Sequence, residues 1–90
     1  MINYVPKDEL VISIGPNPVI TDLMLHITSN KNTNARIEII NRDGKLLYFK
    51  DIEISAGTST QRFGIANYLK GVYFVRVKTP DKKILLKFVK

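Results

Sequence analysis

Few side chains in this 90-residue chain could do covalent, acid–base or metal chemistry, and their spacing assembles no site. His26 is the single histidine, and cysteine is absent. The alternation of Leu23, Leu25 and Ile27 with Met24, His26 and Thr28 puts His26 on the outer face of a strand. A solvated imidazole is the expectation there. Without cysteine there is no disulfide framework and no thiolate metal site. Glu38, Asp51 and Glu53 could approach one another across strands, yet nothing fixes them as an acid/base pair. They are predicted to be solvated surface carboxylates. No Gly-x-Ser-x-Gly, phosphate-cradling loop, His-Glu-x-x-His or calcium loop of alternating acids is present. The residues thus predict no enzyme, no metal and no cofactor.

The charge is unevenly spread. Residues 1–69 carry seven Lys/Arg and seven Asp/Glu, whereas residues 70–90 carry seven Lys/Arg against Asp81 alone. The whole net charge of +6 therefore lies in the last segment. Such a concentration predicts an acidic partner or an anionic surface, or equally a lysine-rich edge that resists aggregation. Residues 1–10 contain no apolar core of a signal peptide, and no apolar run approaches the roughly 18 residues of a membrane span.

The elements that must position these groups are strands. The strongest signal is Gly71-Val72-Tyr73-Phe74-Val75-Arg76-Val77, with Tyr73, Val75 and Val77 on a core face and Phe74, Arg76 and Lys78 on the other. Shorter alternations predict strands over 10–14, 22–28, 35–40, 45–54, 58–65 and 83–90. Pro16-Asn17-Pro18 reads as a rigid elbow, and Asn41-Arg42-Asp43-Gly44 as a hairpin turn. Leu46-Leu47-Tyr48-Phe49 is apolar on both faces, which predicts a bulge or a covered outer face. Tyr68 and Leu69 are expected to plug the corner before Gly71. Tyr73 is read as a plain core tyrosine ahead of a tyrosine corner. Seven strands with turns about every ten residues, and no helical period, predict an all-β fold. Its expected form is a seven-stranded immunoglobulin-like Greek-key β-sandwich. Residues 1–9 are read as a linker remnant and 10–90 as one domain.

The order of these motifs resembles the C-terminal sorting domain of cargo proteins of the type IX (Por) secretion system of Bacteroidetes. The resemblance rests on Pro16-Asn17-Pro18, on Asp22-Leu23-Met24-Leu25 and on Asn41-Arg42-Asp43-Gly44-Lys45. It rests further on Gly71 through Val77, with Tyr73, Val75 and Val77, and on the lysine-rich Lys83–Lys90. Asn41 stands where the family usually has Asp, and Tyr68 replaces the usual corner leucine.

The resemblance implies a non-enzymatic export address carried behind an N-terminal cargo domain. It implies docking on an outer-membrane translocon and removal by a sortase-like signal peptidase, with a cut within or ahead of residues 1–9. The cargo would pass through the periplasm and end attached to the cell surface or released. The N-terminal signal for that route is expected on sequence ahead of residue 1. The outward residues of the last two strands, Phe74, Arg76, Lys78, Lys83, Leu85, Lys87 and Val89, with Lys90, are the expected docking surface. An immunoglobulin-like adhesion or carbohydrate-binding module is the alternative, and Tyr48, Phe49 and Phe74 are its candidate aromatics. A small basic nucleic-acid-binding barrel is the weaker rival, and nucleic acid is not an expected partner. A monomer or a weak edge-strand dimer is expected.

Overall fold

Apolar residues at every second position, many of them β-branched, can bury one face of an extended strand and leave the other wet. The computed structural model describes residues 10–15 and 21–90, which contain seven strands, most of them following that rule. The strands are β1 (Leu10–Gly15), β2 (Asp22–Ser29), β3 (Thr33–Asn41), β4 (Leu46–Ile54), β5 (Gly57–Gly64), β6 (Val72–Lys78) and β7 (Lys83–Val89). They form two antiparallel sheets, ordered β1-β2-β5 and β4-β3-β6-β7. The fold is an all-β, immunoglobulin-like sandwich, as predicted. β4 lies beside β3 rather than beside β5, so the fourth strand belongs to the opposite sheet from the one it joins in the constant-domain arrangement. The predicted elbow at Pro16-Asn17-Pro18 and the linker over 1–9 lie outside the described residues.

The core forms where the two sheets face each other. Leu23, Leu25 and Ile27 of β2 pack in one buried cluster with Ile37 and Ile39 of β3, Tyr73, Val75 and Val77 of β6 and Phe88 of β7. Phe63 and Ile65, at the end of β5, close one side of it. In β4 the register slips between Ile39 and Ile40. Tyr48 lies opposite Ile39 while Leu46 lies opposite Ile40, and Leu47 is the extra residue. That is the bulge the double-faced apolar run predicts. The run is not covered among the described residues, and Leu46, Leu47, Tyr48 and Phe49 all remain exposed.

The hairpin between β3 and β4 turns on Gly44, whose φ of +86° suits a residue without a side chain. Asn41 Oδ1 accepts the amide hydrogens of Asp43 (3.0 Å) and Lys45 (2.9 Å). A carboxylate at position 41 could accept the same two bonds, so asparagine keeps the turn without the charge.

The corner between β5 and β6 corrects two expectations. Leu69 is 83% exposed and plugs nothing. Tyr68 does that work half-buried, its ring 5.6 Å from that of Tyr73, and burial pushes its hydroxyl pKa up. Tyr73 is a tyrosine corner: its hydroxyl donates to the Leu69 carbonyl four residues upstream. Its ring also stacks on Phe88, so one side chain serves the core and the connection. Gly71 enters β6 at φ +153° and exchanges both backbone hydrogen bonds with Lys90.

Candidate functional site

The outer face of the four-stranded sheet carries charged side chains interleaved with exposed apolar ones, among them Leu46, Phe49, Leu85 and Val89. Backbone register sets its side chains in rows that cross all four strands. One row runs Asp51, Arg36, Lys78, Lys83; the next runs Phe49, Glu38, Arg76, Leu85. A third runs Leu46, Ile40, Phe74, Lys87, and Val72 lies opposite Val89 beyond it. Ile40 is buried on this outer side, under its apolar neighbours rather than in the core.

Two acids on this face, Asp51 and Glu38, are paired within it, while Glu53 farther along β4 is exposed, as its sequence reading expects. Arg36 Nε donates to Asp51 Oδ1 (2.8 Å), and its guanidinium lies 4.6 Å from the centre of the Phe49 ring. The hydrogen bond from Arg36 is the main cause holding the Asp51 carboxyl below the usual carboxylate range. Glu38 corrects the sequence reading of it as solvated, because its side chain is only 5% exposed. It lies on the outer face, as alternation requires, but its neighbours' side chains cover it. Arg76 Nε donates to Glu38 Oε1 at 2.6 Å, and Lys78 Nζ lies 3.4 Å from the same oxygen. The hydrogen bond from Arg76 holds the Glu38 carboxyl below its usual range, against the opposing effect of burial.

This pairing gives stability a pH dependence with a definite sign. A lowered folded pKa means that the unfolded state binds the proton more readily. The Glu38 contribution is therefore complete above the ordinary glutamate range, near about 4.3. It is lost as pH falls through the lowered folded value. Urea midpoints measured from pH 6 to pH 3 are expected to fall more steeply for the native chain than for Glu38→Gln. Parallel curves would remove Glu38 as a source of acid sensitivity.

On β7 the outward side chains are Lys83, Leu85, Lys87 and Val89, all exposed. Lys78 lies directly opposite Lys83, a like-charge pair that disfavours the sheet. Seven of the eight residues proposed from sequence thus share one face. Lys90 does not join them: its ammonium donates to the carbonyls of Ala66 (2.8 Å) and Tyr68 (2.5 Å) at the β5–β6 corner.

A family model described as "Secretion system C-terminal sorting domain" matches residues 13–90. The chain belongs to that family. It is the type IX, or Por, sorting domain that the motif order resembles. The fold has a solved counterpart in the crystal structure of dimeric latent PorU from Porphyromonas gingivalis. The likeness has a TM-score of 0.70 at 17% identity, over 98% of this chain. The chain spans about a tenth of the length of that protein. No curated protein matches.

In this sorting domain most of the motif residues that are described serve the fold. Asp22 pairs with Arg62 at 3.2 Å, tying the start of β2 to the end of β5. Asp43, Gly44 and Lys45 make the hairpin, and Gly71 and Tyr73 make the corner. Val75 and Val77 are buried core. The residue that sequence reasoning missed is Glu38. Its signal is available only once β3 is known to lie beside β6, which sets Glu38 opposite Arg76. His26 is exposed, with Nδ1 3.3 Å from Thr60 Oγ1. Among the described residues no three His, Asp or Glu side chains gather as metal ligands.

Proposed function

We propose that this sorting domain is a non-catalytic export address at the end of a longer cargo protein. It is read at the outer membrane by the type IX translocon, through the outward side chains of β6 and β7. A sortase-like signal peptidase then cuts ahead of β1, and the cargo is joined to anionic lipopolysaccharide at the cell surface or released. Before that step the cargo crosses the periplasm. The family match over residues 13–90 carries the export role. The docking face is supported by the cluster of Arg76, Lys78, Lys83 and Lys87, which has Glu38 as its only acidic neighbour on these two strands and the strand beside them. A rigid sheet presents those groups with little ordering entropy, and apolar Phe74, Leu85 and Val89 between them can anchor a partner.

The aromatic side chains favour this reading over a carbohydrate-binding one. Tyr48 turns into the gap between the sheets and meets Phe63 edge-on at 5.9 Å, whereas Phe49 and Phe74 lie on the outer face. The three do not make one stacking platform. The bulge at Leu47, together with Lys45 and Lys50, blunts the β4 edge and favours a monomer.

The test fuses the chain behind an exported reporter in a bacterium that has the type IX system. The native fusion is expected on the surface or in the medium. The Lys83→Glu/Lys87→Glu variant is expected to fall about tenfold, equivalent to about 1.4 kcal/mol of lost docking energy. Undiminished export of a folded double variant would sink the docking face. Failure of the native fusion to leave the periplasm would sink the export role.

A further inference from the structure

We infer that Arg76, with Lys83 and Lys87 around Leu85, is a receiving site for a carboxylate of a protein partner, and that Glu38 is its positioning residue. The inference rests on the export reading above and specifies its docking face. Arg76 spends only Nε on Glu38, and no other partner of its guanidinium is found among the described residues. A guanidinium held by Nε keeps its two terminal amino groups free, in the planar fork that grips a carboxylate. The side chain is 34% exposed, so that fork is reachable, while the Glu38 carboxylate holding it is covered.

Register builds the rest of the site. Leu85 lies directly opposite Arg76 and is 58% exposed. Lys83 and Lys87 flank Leu85 along β7, each one diagonal step from Arg76, about 7–8 Å. Neither has a partner among the described residues. The fold keeps a repulsive pair, Lys78 opposite Lys83, beside this site and relieves it only by drawing Lys78 toward Glu38. An anion bound beside the pair would lessen that repulsion further. An acidic side chain next to an apolar one matches the cations around Leu85, and a protein supplies both at this spacing.

The deciding variant replaces both members of the pair with apolar residues of similar size, Glu38→Leu/Arg76→Met. Such a swap often leaves stability unchanged or improves it, so fold and docking separate. The double variant is expected to melt within a few degrees of the native chain and to lose about tenfold in reporter export. Full export by the folded double variant would show that the pair is structural and overturn the site. Should the double variant melt below growth temperature, Arg76→Lys decides instead. It keeps the charge beside Glu38 but has no planar fork; reduced export is expected, and full export overturns the site. Flotation of the native chain with phosphatidylglycerol vesicles, lost in the double variant, would also overturn it by making the ligand a membrane phosphate. In every arm the native fusion must be exported; if it is not, the export role has failed, not this site.

Discussion

Phe88→Ala is expected to remove about 3–5 kcal/mol of stability, the usual loss for truncating a fully enclosed aromatic. Phe88 has no exposed surface and stacks on Tyr73 with ring centres 5.4 Å apart. Truncation would open a cavity under the corner and end the ring contact, itself worth about 0.5–1.5 kcal/mol. A domain of this size has only about 5–15 kcal/mol to lose. At about 4–8 °C per kcal/mol the melting temperature should drop by more than about 12 °C. Phe88→Leu, which keeps most of the volume, should lose much less. Thermal unfolding followed by circular dichroism checks both. A fall of under about 5 °C for the alanine variant would show that β7 is held by its backbone ladder instead. Export of a reporter carrying Phe88→Ala should fail with the fold.

Lys90→Glu is the second large effect, and it appears in folding rather than docking. The Lys90 ammonium bonds two carbonyl oxygens of the corner, while the Tyr73 hydroxyl takes a third, that of Leu69. Hydrogen bonds from a charged donor contribute about 1.5–3 kcal/mol, less where water can reach the carbonyls. Lys90→Met should therefore lose about 1–2 kcal/mol. Lys90→Glu should lose more, because a carboxylate would face the same carbonyl oxygens. Denaturant midpoints at constant slope separate the two variants. Equal stability of lysine, methionine and glutamate at this position would mean that the ammonium rests on the corner without holding it. An export defect in a Lys90 variant thus reports folding, whereas one in Lys83→Glu/Lys87→Glu reports docking.

Much of the architecture was legible from residue pattern. Strict alternation in 22–28 and 71–78 put Leu23, Leu25, Ile27, Tyr73, Val75 and Val77 inside, where they are found. The double-faced run at Leu46–Phe49 narrowed the choice to a bulge or a covered outer face, of which the bulge is found, and Asp43-Gly44 marked the hairpin. These succeed because a strand's faces follow from a period of two and a turn's shape from its own few residues.

What pattern could not supply depends on which strand lies beside which. Glu38 reads as one more outward carboxylate until β6 is set against β3; then Arg76 and Lys78 close over it. Lys90 reads as one more basic outward residue until β7 meets the β5–β6 corner, and Tyr73 as core until its hydroxyl finds the Leu69 carbonyl. By itself the amino-acid order determined the strands, their inner faces, the family and the excess of positive charge. Only tertiary structure decided which of those charges are bound and which stay available, since a charge's partner lies across strands, at sequence separations that no local periodicity records.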